Sequence, residues 1–491
     1  MYQKNRDFAE ITERCEMSPS NNLIGRRQET EELFSAFRSD KSEFVAVYGR
    51  RRVGKTFLVR TLFEREFAFH ITAMLDSDTE AQLANFTASL VQYGYKDSSA
   101  PVNWREAFQR LTVLLDESNR KKKVVFIDEL PWLDTRGSGF IPALEHFWNG
   151  WASARNDICL IVCGSAASWI IKKLFRSRGG LHNRVTRRIL LEPFTLAECK
   201  QYFEQAGMPA TDTNLLESYM FIGGIPYYLS LLNAKQSLAQ NVGRLCFSTG
   251  GALRDEFDNL YASLFRESSR HVMVVEALGK KLCGLTREEI KKITRLPEGG
   301  NLTEVLVELE MSGFIRKYTP FAKKKKGALY QLIDHYSLFY LAFIRGSQDI
   351  DRSYWMKMRE TQPYRVWRGY AFEQVCLSHI EQIQSAIGVS GVITHVASWR
   401  SEQTGHGAQI DLLIDRKDGV VTICEMKYSD TEIALTKKTA ANIAGKRNVF
   451  IEESGTKKAV HIAIVTPIGL KRNAYYDIAQ SVVTMRGLLV E

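Results

Sequence analysis

The stretch "FVAVYGRRRVGKTFLVRTLF", Phe44–Phe63, decides how the first half of the chain folds. It reads as an apolar strand, then G-x-x-x-x-G-K-T, then a pattern of helical spacing, which is the setting a phosphate-binding P-loop requires. Gly49 and Gly54 let the backbone wrap a phosphate, and the N–H groups of the loop and the helix start meet its charge. Lys55 then reaches the β- and γ-phosphates, and the Thr56 hydroxyl is a magnesium ligand. Arg50, Arg51 and Arg52 are assigned to the local fold and the nucleotide, because such a loop works mainly through its main chain.

The partner of this loop is "KKKVVFIDELPWLD", Lys121–Asp134. Four apolar residues predict a buried parallel strand with Asp128 at its C-terminal end, where open α/β sheets bind ligands. Asp128 is the second expected magnesium ligand, directly or through water, and Glu129 the general base for the attacking water. Further strands are predicted at "EFAFHIT", "ICLIVCGS" and "RRILLEPF", with helices at "TEAQLANFTASLVQYG" and "FIPALEHFWNGWASA" between them. Alternating β and α elements predict a parallel sheet covered by helices. Ser165, ending "LIVCGS", is expected to point at the γ-phosphate region.

In order, "NNLIGRRQETEELFSAF", "YGRRRVGKT", "VVFIDELPWL", "LIVCGSAAS", "RVTRRILLEPF" and "FIGGIPYYLSLL" resemble the AAA+/STAND-type ATPases often called archaeal-type ATPases, found in archaea and bacteria. The resemblance covers about the first half of the chain. It implies that Leu23, Ile24, Gly25 and Arg26 lie near the adenine and that Ser165 is the sensor. Arg184 or Arg187 would be the arginine finger, in cis or from a neighbouring subunit. Gly223, Gly224 and Pro226 match the Gly-Gly-x-Pro element of a helical lid. The nucleotide site implied is Ile24, Gly25, Arg26, Gly49, Arg50, Arg51, Arg52, Val53, Gly54, Lys55, Thr56, Phe57, Ser165 and Pro226, holding ATP and Mg2+.

The middle of the chain, "TREEIKKITRLPEGGNLTEVLVELEMSGFIRKYTPFAKKKKGALYQLID", reads as helix, turn, helix and a hairpin with a lysine-rich tip, the order of a winged helix-turn-helix. The second helix carries Glu304, Glu308 and Glu310 and no basic residue, so base readout is disfavoured and protein contacts are preferred. Lys323–Lys326 at the tip could touch phosphates without sequence preference.

In the last third, "QIDLLIDRKDGVVTICEMKYS", Gln409–Ser429, reads as a hairpin with charges at its strand ends. Carboxylates in apolar strands need a partner or a metal. Asp411 and Glu425 are expected to bind magnesium, and Lys427, two residues on and on the same face, to orient water or stabilise charge on phosphorus. Upstream, "YRVWRGYAFEQVCLSHIEQI" predicts a helix on whose apolar stripe Glu373 lies with Gly369, Leu377 and Ile380. With "TKKTAANIAGKRNVF" as helix and "AVHIAIVTP" as strand, the order resembles the PD-(D/E)xK nuclease superfamily. That resemblance implies Glu373, Asp411, Glu425 and Lys427 as catalytic residues, although Ile410 stands where proline is common.

A chain of 491 residues exceeds one ordinary core. The division expected is 1–20 N-terminal extension, 21–195 P-loop AAA+ core, 196–265 helical lid, 266–335 winged-helix-like module and 336–491 restriction-endonuclease-like α/β domain. The formal net charge of +10 favours a polyanionic partner, here DNA held by backbone contacts. A homo-oligomer and a protein partner at the winged-helix-like module stay open. The eight cysteines form no C-x-x-C pair, and no signal peptide or membrane span is read, so a cytoplasmic location is expected. The function expected is an ATPase whose nucleotide state is coupled to a metal-dependent nuclease-like domain acting on or binding DNA. The alternative is a signalling or scaffold switch whose nuclease fold binds a partner and cuts nothing.

Overall fold

The computed structural model describes residues 23–176, 179–265, 267–296, 300–318, 321, 328–347, 354–401 and 408–490. The N-terminal extension 1–20 and the tip Lys323–Lys326 lie outside them. The chain divides into two compact units, one comprising Met1–Pro193 with Ser263–Arg266, the other Phe194–Ala262 with Glu267–Glu491.

The first unit is built on a five-stranded sheet of β1 (Glu43–Tyr48), β2 (Phe67–Thr72), β3 (Lys123–Asp128), β4 (Ile158–Gly164) and β5 (Arg187–Leu190), in the order β2-β3-β4-β1-β5. All its pairings are parallel, as the alternation of strand and helix predicts. Strands β3 and β4 are buried at every residue, so their near-continuous Val, Ile, Leu and Cys runs belong in the middle of the sheet. Tyr48 pairs with Gly164 and Leu190, and Thr72 with Asp128, so the C-terminal strand ends share one edge. Loops leaving that edge carry Gly49, Glu129 and Ser165.

Packed helices fix the sheet. Trp104, on the helix Trp104–Glu117, meets Phe86 and Phe140 edge-on at 5.6 and 4.9 Å, tying three helices into one core.

The second unit opens with a helical region, Leu196–Gln205, Asp212–Ile222, Pro226–Ser230 and Leu238–Cys246. Its first helix is closed by a capping box between Thr195 and Glu198, and its fourth by one between Ser237 and Gln240. Next come helices Ser268–Lys280, Arg287–Thr294 and Gly300–Met311 with a three-stranded antiparallel sheet. Its strands are β6 (Leu285–Thr286), β7 (Ile315–Tyr318) and β8 (Leu329–Leu332), ordered β6-β8-β7.

The C-terminal part is a mixed sheet of β9 (Thr394–Arg400), β10 (Gln409–Arg416), β11 (Val420–Met426), β12 (Ala459–Val465) and β13 (Ser481–Val483), ordered β13-β12-β11-β10-β9. The hairpin β10–β11 is antiparallel, whereas β11–β12 is parallel, with the helix Lys437–Ser454 as crossover.

The helix expected over Tyr364–Ile383 is two helices, Gln362–Ser378 and Ile380–Ala386. The break falls at His379, whose backbone leaves the helical region at φ −124°. Its buried ring bonds Val375 O through Nδ1 at 2.7 Å and accepts the Leu196 N–H at Nε2 at 2.9 Å. Ile380 therefore does not continue the Glu373 stripe, and a partner 183 residues away decides the break.

Candidate functional site

At the C-terminal edge of the parallel sheet, Gly49 has φ +142°, and a Cβ there would sit 2.3 Å from Leu191 O, so only glycine fits. Gly54 caps the helix Lys55–Phe63 in the left-handed region at φ 92°. Lys55 is buried, and its Nζ donates to Gly49 O at 3.1 Å and Arg50 O at 2.9 Å, inside the loop. Burial lowers its pKa against the opposing pull of Glu129 and Asp128.

Thr56 Oγ1 donates to Asp128 Oδ2 at 2.8 Å, although β4 separates β3 from β1. Asp128 is buried, and its pKa is pushed up to about 6, by burial first and then by the neighbouring charge of Glu129. A hydroxyl and a buried carboxylate that would gain from a nearby cation are a donor set suited to magnesium. Glu129 accepts from Ser165 at one oxygen, Oε2, from the backbone N–H at 2.9 Å and from Oγ at 2.8 Å. Those bonds fix the orientation of the expected base and engage the Ser165 side chain with it.

Backbone strain collects here. Among the described residues six non-glycine positions have positive φ, and three of them, Arg26, Arg52 and Glu129, belong to this site. Arg26 follows Gly25, itself at φ 59°, and donates to Glu192 O at 2.7 Å and Val53 O at 3.4 Å. It thereby ties the loop to the chain leaving β5. Ile24 and Val53 are buried, Phe57 is exposed, and Arg51 Nη1 is buried without a hydrogen-bond partner.

The two candidate arginine fingers separate. Arg187 is opposite Val45 in the β1–β5 ladder, its Nη2 donates to Ser35 Oγ at 3.1 Å, and Glu43 Oε1 is 4.0 Å away. Glu43 begins β1 and Gly49 follows its end, so the Arg187 guanidinium sits at the edge opposite the P-loop. The strand register decides it, and no local pattern carries that register. Arg184 is exposed before β5.

Pro226 lies in the other unit, at the start of the helix Pro226–Ser230. The preceding glycines have a steric cause. Gly223 ends a helix at φ 61°, and a Cβ on Gly224 would meet Phe194 O at 1.8 Å.

In the C-terminal sheet, the register Leu412↔Cys424, extended by one residue, sets Asp411 opposite Glu425. A bulge between Ile410 and Leu413 against β9 re-aims the backbone at Asp411. Gln409 Nε2 donates to Asp411 Oδ1 at 2.7 Å. Burial, the larger effect, nevertheless raises the Asp411 pKa.

Glu425 pairs with Lys427 Nζ at 3.0 Å through Oε1 and with Lys446 Nζ at 3.0 Å through Oε2. Burial works to raise its pKa, but Lys446 and then Lys427 outweigh that and lower it. Glu373 is pushed up to about 8, by burial first and then by the charges of Asp411 and Glu425. The structure thus brings all four expected residues into one electrostatic neighbourhood. Oxygen donors alone suit a hard cation. Among the described residues, however, no group of three or more His, Cys, Asp or Glu side chains is disposed to hold a metal ion.

Sequence reasoning missed Lys446. Its signal was present, since Ile443, Lys446 and Phe450 fall at i, i+3 and i+7, and the two apolar members are buried.

A strand, a glycine-shaped loop, a helix start and a carboxylate bonded to the helix threonine define a P-loop ATPase. Residues 23–232 match a family described as an ATPase domain predominantly from Archaea, and the protein is an ATPase through that domain. An uncharacterized protein of Methanocaldococcus jannaschii is 24% identical over 426 residues, 85% of this chain and 90% of that protein. Among solved structures, the Walker-type ATPase of Pyrococcus abyssi is 18% identical with a TM-score of 0.47, over 66% of this chain and 97% of that one. The ORC2 protein of Aeropyrum pernix, solved with ADPNP and ADP, is 14% identical with a TM-score of 0.36, over 69% of this chain and 96% of that one.

The seven described cysteines are free thiols, six of them buried. Among the described residues no helix is long and apolar enough to cross a membrane.

Proposed function

We propose that the chain is a cytoplasmic, magnesium-dependent ATPase whose nucleotide state controls a C-terminal nuclease-like domain acting on DNA. At the nucleotide site, Gly49–Thr56 cradle the phosphates, Lys55 neutralises their charge, and Thr56 and Asp128 are the residues to hold magnesium. Bound there, the cation would supply positive charge at the phosphate oxygens. Glu129, oriented by Ser165, takes the proton of the attacking water. Ile24, Gly25 and Arg26 border the adenine. The finger is Arg184 or Arg187, in cis or acting on a second copy of the chain, and the place of Arg187 beside Glu43 favours Arg184 for a finger in cis.

In this reading 196–265 is a lid containing Pro226, 266–335 a winged-helix-like module and 336–491 a PD-(D/E)xK-like domain. The helix–helix–hairpin order and the mixed sheet with its crossover support those divisions. The observation that carries nuclease chemistry is Lys427 Nζ 3.0 Å from Glu425, with Asp411 and Glu425 close enough for each to raise the pKa of Glu373. Asp411 and Glu425 would hold the divalent cation, Lys427 would stabilise charge on the phosphate, and Glu373 borders them.

Plasmid DNA incubated with the protein and Mg2+ or Mn2+ tests the reading. Wild type should nick or linearise it, and Glu425→Ala and Lys427→Ala should not. Equal products from all three would remove the nuclease claim.

One observation favours a second reading, a switch whose C-terminal fold binds a partner without cleavage. Both oxygens of Glu425 are engaged by lysines, which satisfies the carboxylate without a metal.

A further inference from the structure

Lys446 comes from the crossover helix, whose buried residues include Ile443 and Phe450, and its side chain is 25% exposed. A lysine on an inward stripe is retained where its charge has work to do. Its Nζ is 3.0 and 3.3 Å from the two oxygens of Glu425. Neutralising Glu425 does not by itself require it, because Lys427, just past the end of β11, already pairs with the same carboxylate.

Formal charge supplies a further role. Burial and two neighbouring carboxylates favour the neutral form of Glu373, so Asp411 and Glu425 against Lys427 alone leave one negative charge, which a divalent cation would turn into one positive charge. With Lys446 included, the loaded site carries two positive charges towards the phosphate.

We propose that Lys446 is the phosphate-binding lysine of the carboxylate site, holding Glu425 in the free protein and the DNA phosphate in the complex. The inference rests on the nuclease-like reading above. It separates the two lysines, Lys446 serving substrate affinity and Lys427 the chemical step.

Two measurements test it: Mn2+ affinity from the electron paramagnetic resonance of the free ion, and duplex DNA affinity by fluorescence anisotropy in Ca2+, to limit cleavage. Lys446→Met should weaken duplex binding by at least about tenfold, the loss expected for one charged hydrogen bond. Mn2+ affinity should hold or tighten, because a competing cation has gone. In Mn2+-supported cleavage the variant should raise KM more than it lowers kcat, whereas Lys427→Met should lower kcat. Lys446→Arg should restore most of the duplex binding. Lys446→Gln, which can still hydrogen-bond Glu425, should fold and bind like the methionine variant.

Wild-type duplex affinity in a folded Lys446→Met or Lys446→Gln, with wild type binding Mn2+ and cutting DNA, would overturn the role of Lys446 alone. Wild type that neither takes up Mn2+ nor cuts DNA would overturn the nuclease-like reading, and this inference with it.

Discussion

Ser165 Oγ donates to Glu129 Oε2 at 2.8 Å, and the Ser165 backbone N–H donates to the same oxygen at 2.9 Å. One carboxylate oxygen of Glu129 is thus held by the residue that follows β4. Glu129 has a left-handed backbone at φ 51°, so the geometry is kept against local strain. Glu129→Gln is isosteric and keeps an acceptor for Ser165. It should bind ATP as wild type does and lose about 10²-fold or more in turnover, the scale of a lost general base. Nucleotide filter binding beside phosphate release checks this, and full turnover would remove the assignment.

Lys55 and Thr56 act on the nucleotide itself. Lys55→Ala should abolish ATP binding at micromolar nucleotide, because it removes the buried ammonium whose Nζ donates to Gly49 O and Arg50 O inside the loop. Thr56→Ala removes the hydroxyl 2.8 Å from Asp128 and should weaken magnesium dependence more than ATP affinity. Titrating Mg2+ at fixed ATP separates the two.

Gly224 tests packing without touching either site. Its missing Cβ would lie 1.8 Å from Phe194 O, and Phe194 N donates to Gly224 O at 2.6 Å. Gly224→Ala must push these strands of chain apart and should cost about 1–3 kcal/mol, the usual range for overpacking. A urea-unfolding midpoint equal to wild type would contradict this close approach.

His379 predicts a pH dependence. Burial pushes its pKa down from 6.5 to about 4, against a smaller opposing effect of Val375 O. The folded state thus prefers the neutral ring. Its contribution is fully present above 6.5, and is lost as pH falls from there through about 4. At about 1.4 kcal/mol per unit the loss is roughly 3 kcal/mol. Urea midpoints between about pH 8 and pH 4 should fall more steeply for wild type than for His379→Gln. Parallel curves would show that His379 does not titrate with unfolding.

What the sequence disclosed and what it withheld divide by range. Gly49, Gly54, Lys55, Thr56 and Asp128 were legible because the loop and the strand end are local patterns. Asp411, Glu425 and Lys427 were legible because period two puts them on one hairpin face. The helix break at His379 was not, since its acceptor contact is with Leu196, nor was the placement of Arg187, which follows from pairing with Val45. Lys446 shares a helix stripe with Ile443 and Phe450, but its partner Glu425, 3.0 Å away, lies 21 residues earlier in the chain, beyond the reach of a helix pattern.

The most direct test of the central claim, that nucleotide state governs the carboxylate site, is one time course of Mn2+-supported plasmid cleavage. It compares wild type without nucleotide, with ATP and with a non-hydrolysable ATP analogue, beside Lys55→Ala. Rates should differ between nucleotide states in wild type and coincide in Lys55→Ala. Identical wild-type rates in all three conditions, or no cleavage in any, would contradict the claim.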